Sequence, residues 1–131
     1  MENRFDKLLN SLEELKQEIK KTTGINKGGV TYAMALISEG KVSKPSSWQH
    51  PTAAEENAYI EKEGMSAYSK WFLGVNDNVD AENKGHWTYI YTSDFKTVDR
   101  AGLIAIRQRA GQNKETVIFE AAGRILEKLD A

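Results

Sequence analysis

The chain has 131 residues, 28% of them charged and 40% hydrophobic, with a formal net charge of −1 and no cysteine. That balance fits one domain with its own core, burying roughly two-thirds of the surface an unfolded chain exposes, far from the composition of disorder. It excludes disulfides, thiolate metal sites and a cysteine nucleophile, and provides no overall field to draw in nucleic acid or an anionic membrane.

Residues 3 to 21 carry Phe5, Leu8, Leu9, Leu12, Leu15 and Ile19 at spacings of three and four, the pattern of an amphipathic helix. Its apolar stripe is narrow, like a short coiled-coil seam. The helix therefore either docks on its own domain or forms a homodimer through Phe5, Leu8, Leu12, Leu15 and Ile19. It makes up an N-terminal segment, residues 1–23, ahead of a single globular helical domain, residues 24–131. No apolar run approaches the roughly 18 residues of a membrane span. With acids and bases throughout its first segment, the protein is expected to be cytoplasmic, not exported and without a membrane partner.

Thr22-Thr23-Gly24 ends the first helix, and Asn26-Lys27-Gly28-Gly29 reads as a turn. The glycine pair lacks the Walker spacing and follows a helix rather than a strand, which argues against a phosphate cradle. Val30 to Glu39 is apolar nearly all round, with Gly40 just past its end, and predicts a central helix. Lys41 to Pro51 is a loop pinned by Trp48. Thr52-Ala-Ala-Glu55 has the capping-box form and starts a helix from about 53 to 63. Ser66 to Gly74 reads as a short helix whose rings, Tyr68, Trp71 and Phe72, pack in the core in preference to forming a ligand platform.

Asn76 to Asn83 is acidic and rich in turn formers. Counting from Asn76, the sixth residue is Ala81 and the twelfth Trp87, so the calcium-loop pattern fails and a solvated loop is expected. From His86 to Thr92, Trp87, Tyr89 and Tyr91 alternate with Thr88 and Ile90, as in a half-buried strand. Lys96-Thr97-Val98 reads as its return, giving a hairpin near 86–98 with its aromatic face on the helices. Asp99 is placed to cap a helix from about 100 to 112 with Leu103, Ile106 and Ala110 inward. A last helix, about 115 to 129, repeats the logic and packs antiparallel to it. The expected fold class is mainly α: a compact bundle of about five to six helices with one short β-hairpin.

Catalytic constellations are missing. His50 and His86 lie in separate loops, with no serine nucleophile elbow and no paired-histidine spacing, so no catalytic residue, metal or cofactor is expected. The positive signal is a basic stretch. Lys96, Arg100, Arg107, Arg109 and Lys114 stand against the single acid Asp99 within nineteen residues. Arg100 and Arg107, seven apart, share a helix face, with Lys114 a further seven on if the helix reaches it and Arg109 pointing elsewhere. This face either contacts phosphates, with Trp87, Tyr89 and Tyr91 stacking on bases, or pairs with Glu115, Glu120 and Glu127 of the last helix or with the acidic loop before the strand. Internal pairing is the preferred reading.

Several runs carry a resemblance: Ala35-Leu-Ile-Ser-Glu-Gly-Lys-Val42, Ser47-Trp48, Tyr68-x-x-Trp71-x-Leu73-Gly74-Val75, Gly102 to Gln112, and Ile118 to Lys128. Over roughly residues 30 to 131 the chain resembles a family of small domains encoded by tailed bacteriophages and prophages. These are associated with head-morphogenesis and prohead-protease regions, and their biochemical role is undescribed. Phe72 stands where the family pattern has a histidine, and Thr92 and Ser93 where it has a Pro and Gly closing the aromatic strand. The resemblance implies a setting and transfers no catalytic residue. The expected function is a non-enzymatic phage-type accessory protein that binds another protein, such as a phage head component. The alternative is a nucleic-acid-binding module using Arg100, Arg107, Arg109 and Lys114.

Overall fold

A computed structural model describes residues 22–131. The elements run β1 (Gly24–Ile25), α1 (Lys27–Ser38), β2 (Val42–Ser43), α2 (Ala53–Glu63), α3 (Met65–Ser69), β3 (Phe72–Val75), a 3-10 turn (Lys84–His86), β4 (Trp87–Ile90), β5 (Val98–Asp99), α4 (Arg100–Gln112) and α5 (Thr116–Asp130). The stripe of Phe5, Leu8, Leu12, Leu15 and Ile19 lies outside the described residues, and with it the self-association it was expected to mediate.

Where a local signal sets a helix, the helix is there. At α2 the Glu55 amide donates to Thr52 Oγ1 at 3.1 Å, and the Thr52 amide to Glu55 Oε1 at 3.0 Å. The two residues thereby satisfy donors that a helix start leaves orphaned. At α4 the Gly102 amide donates to the buried Asp99 carboxylate at 2.9 Å. Helix α5 buries Ile118, Ala121, Ala122, Ile125 and Leu129, a stripe at spacings of three and four.

Helix α5 takes the central place that the sequence suggested for α1. Among the described residues it packs on α4 over the largest helix–helix contact, and it also meets α1, β1 and β3. Helix α1 buries Gly29, Ala33 and Leu36 and exposes Thr31, Ala35 and Ser38. Its remaining apolar side chains, Tyr32, Met34 and Ile37 among them, line the edge of the core half-buried. Gly28 and Gly29 sit inside its first turn and not in a loop, with Asn26 before them as the N-cap residue.

The β structure departs from the expected hairpin. Strand β4 pairs antiparallel with β3, in the register Phe72↔Ile90, Gly74↔Thr88 and Val75↔Trp87. β3 in turn pairs with β1, giving a three-stranded sheet in the order β1-β3-β4. Strand β5 pairs instead in parallel with β2, Val42↔Val98 and Ser43↔Asp99. The cause lies in the turn between β4 and β5. Asp94 Oδ1 accepts from the amides of Lys96 and Thr97, both at 2.9 Å, while Thr92 Oγ1 accepts from the amide of Phe95 at 3.0 Å. Burial alone would raise the Asp94 carboxyl, but these donors hold it below its ordinary value. Phe95 takes a left-handed backbone, φ +54°. The side chains thus redirect the chain away from β4 and toward β2.

Residues 66 to 74 were expected to be one helix. The structure ends α3 at Ser69 and turns Phe72 to Val75 into the middle strand of the sheet. Their rings serve the core as expected: Tyr68, Trp71 and Phe72 are all buried. Trp71 meets Tyr32 edge-on with centroids 5.1 Å apart, and its indole donates to Tyr59 Oη at 3.0 Å. The fully buried Tyr91 donates its hydroxyl to the carbonyl of Lys70 at 2.6 Å, with the carbonyl of Gly29 also near at 3.2 Å.

Candidate functional site

The chain brings chemistry together in a groove of about 660 Å³ bounded by β4 on one side and α4 on the other. That volume is in the range of sites that take small molecules or peptide side chains. Among the described residues strand β4 is the last of its sheet, and its four residues Trp87 to Ile90 all line this space. Trp48, from the loop after β2, closes one part of the rim because Gly102 lets its ring rest on the first turn of α4. A methyl group at Gly102 would come within 2.5 Å of the indole. His50 stands edge-on to Trp48 with centroids 6.2 Å apart, and its Nδ1 lies 2.6 Å from the carbonyl of Pro51.

Toward the 3-10 turn, Trp87 meets His86 edge-on at 4.5 Å and donates its indole N–H to the carbonyl of Ala81 at 3.2 Å. The floor there is polar and internally satisfied. Tyr68 Oη donates to Glu56 Oε2 at 2.6 Å, and Lys84 Nζ reaches Asn57 Oδ1 at 3.0 Å and Glu56 Oε1 at 3.5 Å. Burial pushes the Tyr68 phenol upward, and its hydrogen bond to Glu56 pushes further in the same direction.

At the α4–α5 junction one buried polar atom is left unsatisfied. Tyr89 sits in β4 with a left-handed backbone, φ +63°, and Lys114 beside the junction has φ +57°. For a bulky aromatic residue this conformation costs of order 1–3 kcal/mol and persists only where surrounding contacts impose it. Asn113 Nδ2 approaches Tyr89 Oη at 3.4 Å. The Tyr89 phenol is pushed up to about 12, first by burial and then by the neighbouring Glu115 carboxylate. Glu115 precedes α5 as its N-cap residue, yet its side chain makes no capping hydrogen bond. Its Oε2 is buried and has no hydrogen-bond partner. Burial raises this carboxyl above its ordinary value, and the Tyr89 phenol opposes that shift only in part.

This has a direct thermodynamic consequence. A carboxyl whose value is raised in the fold opposes folding when charged. The cost is absent below the ordinary value of 4.5, grows as pH rises from there and is complete above the folded value. We therefore expect Glu115→Gln to be more stable than the wild-type protein at pH 7, with the difference closing as pH falls toward 4.5. Urea melts at pH 7 and pH 4 check this, and a variant less stable at pH 7 contradicts it.

The four residues of the expected basic face are divided among separate places. Arg100 forms a two-pronged pair with Asp130 at the end of α5, Nε to Oδ1 at 2.9 Å and Nη2 to Oδ2 at 3.2 Å. Arg107 lays its guanidinium over the Phe119 ring, 4.5 Å from the centroid. Arg109 lines the groove and, among the described residues, has no carboxylate within ion-pair distance. Lys114 is exposed in the junction between the two helices. The internal partner of Arg100 is Asp130, not Glu115, Glu120 or Glu127. Packing thus accounts for Arg100 and Arg107, the two positions that the sequence left unexplained.

Glu115, Tyr89, Asn113 and Trp48 are the groove residues that sequence reasoning did not assemble. Tyr89 was grouped with Trp87 and Tyr91 on one inward face, but its left-handed backbone breaks the alternation. Tyr91 is fully buried, whereas Trp87 and Tyr89 are only half-buried at the groove. Among the described residues, no three acids or histidines cluster as metal ligands, and no helix is long and apolar enough to cross a membrane. Comparison with known protein families, curated proteins and solved structures gives no match.

Proposed function

We propose that this protein works by binding a segment of another protein in the groove between β4 and α4. The observation that supports this reading most is the groove's makeup. Three large rings, Trp48, Trp87 and Tyr89, stand half-exposed along one open channel, with an unpaired carboxylate oxygen of Glu115 at its α4–α5 end. Tryptophan and tyrosine dominate the energetics of protein interfaces, where they anchor in desolvated pockets. The left-handed Tyr89 interrupts the free edge of β4, so a partner segment engages through side chains more than through a continuous strand ladder. The resemblance adds a setting in which the partner is another phage-encoded protein, head components included.

The test is selection of short peptides from a random library on the immobilised protein, followed by titration of the winners. Trp87→Ala is expected to weaken them about thirtyfold, the roughly 2 kcal/mol of a hot-spot ring. Val117→Ala, on the exposed side of α5, should leave them unchanged. Peptides that bind the Trp87 variant as tightly as the wild type, with the variant folded by circular dichroism, would remove the groove from the account.

Nucleic-acid binding is the second reading, favoured by one observation: Arg109 shares the groove with Trp87 and Tyr89, so a cation and stacking rings face one space. It predicts a gel shift with DNA or RNA that weakens steeply with salt, and a shallower salt dependence in Arg109→Ala. No shift at low salt eliminates it.

A further inference from the structure

We propose that the α4–α5 end of the groove, at Glu115, Tyr89 and Asn113, is a subsite for a positively charged side chain, a lysine or arginine carried by the bound segment. The inference rests on the groove reading above and specifies what one end of it recognises.

Glu115 stands at the N-cap of α5, where an acidic side chain ordinarily turns back to accept from the helix's first amides. Its side chain makes no such bond. Instead its carboxyl group is placed with the Tyr89 phenol, and one of its oxygens is buried without a donor. Leaving a buried acceptor unpaired is costly, and native folds rarely do so without a reason. Among the described residues no lysine, arginine or histidine lies within ion-pair distance of this carboxylate. Arg109, which lines the same groove, is paired with no carboxylate among the described residues.

The missing complement is a donor, and a charged one satisfies both the unpaired oxygen and the uncompensated charge. The remaining groups suit that ligand. Tyr89 offers a ring of the kind that attracts ammonium and guanidinium groups, and the Asn113 side-chain amide supplies a further acceptor.

The probes are Nα-acetyl-lysine methylamide and Nα-acetyl-arginine methylamide, with uncharged Nα-acetyl-norleucine methylamide as the isostere. Binding is followed by tryptophan fluorescence and by amide chemical shifts in the folded protein. The expected result is saturable binding of at least one charged probe, with shifts centred on Tyr89, Asn113 and Glu115. Affinity should be at least tenfold weaker for the norleucine derivative. Glu115→Gln should lose the charged preference, while Glu127→Gln, an exposed acid of α5 outside the groove, should keep it. Equal binding of the charged and neutral probes to the wild-type protein overturns the proposal without depending on any variant. So does an unchanged charged preference in Glu115→Gln, or adenosine monophosphate producing the same shifts in place of the cationic probes.

The two readings fail separately. Cationic probes that bind at Glu115 while selected peptides ignore Trp87→Ala would leave the subsite standing and the segment-binding groove refuted. Selected peptides that need Trp87 but show no basic residue and no dependence on Glu115 would do the reverse.

Discussion

Gly29→Ala will destabilise the protein by more than the roughly 1–3 kcal/mol typical of an overpacked core. A methyl group built at this position would lie 1.7 Å from the carbonyl oxygen of Phe72 and 2.8 Å from its carbonyl carbon. Both are backbone atoms of β3, the middle strand of the sheet, so no side chain can swing aside. The same few atoms tie α1 down. Asn26 Nδ2 donates to the carbonyls of Ser69 at 2.8 Å and Phe72 at 2.9 Å, and Tyr91 Oη lies 3.2 Å from the Gly29 carbonyl. Moving α1 outward to relieve the clash would break these contacts together. Gly28→Ala is the internal control. Its methyl would meet only Asn26 Oδ1 at 3.6 Å, so the gain from a less flexible unfolded chain, about 0.4–1 kcal/mol, should appear. Urea denaturation of the two variants side by side checks the pair. Equal stabilities would show that α1 and β3 do not approach this closely.

Trp71→Ala is expected to cost about 3–5 kcal/mol, the range for emptying a large aromatic site in a core. The indole is 2% exposed. It contacts Tyr32 edge-on at 5.1 Å, Tyr91 at 5.8 Å and Phe95 at 6.2 Å, so its removal unpacks rings from α1, from the segment after β4 and from the Asp94 turn at once. It also strands the Tyr59 hydroxyl, which accepts from the indole. Trp71→Phe separates the two losses, because it keeps most of the packing and removes only the donor. We expect its cost to be a minor part of the alanine variant's, measured by urea titration with near-ultraviolet circular dichroism reporting the aromatic cluster. A phenylalanine variant as damaged as the alanine one would place the stability in the hydrogen bond.

What could be read from the sequence follows a physical division. Signals carried within one turn of chain were legible: the Thr52–Glu55 capping box, the Asp99 cap, the left-handed Gly40, and the apolar spacing of α5. Each depends on residues three or four apart. Strand pairing depends on partners far along the chain, and there the periodic pattern misled. Tyr68, Trp71 and Phe72 have helical spacing, yet Phe72 belongs to a strand because β1 and β4 flank it on both sides. Val98 looked like the return of a hairpin, but the hydrogen bonds of Asp94 and Thr92 turn the chain toward Val42. The site divides in the same way. The concentration of arginines was visible in composition, whereas the Asp130 and Phe119 that occupy Arg100 and Arg107 sit on another helix. The unpaired oxygen of Glu115 and the left-handed Tyr89 have no signature in residue type at all.

The pairing of β2 with β5 bears on the order in which the molecule assembles. Helices α4 and α5 are neighbours in sequence and can find each other early, at little cost in loop closure. The groove needs more. Trp48 must reach Gly102, and the Thr22 hydroxyl meets that of Thr88, 66 residues away in the chain. Two residue pairs, Val42↔Val98 and Ser43↔Asp99, hold the Trp48 loop against the start of α4. We therefore expect the helical hairpin to form first and the groove to be completed in a later, slower step. In stopped-flow refolding, a Trp48 signal isolated by replacing both Trp71 and Trp87 with phenylalanine should lag the helical signal, while simultaneous appearance would place the long-range closure first.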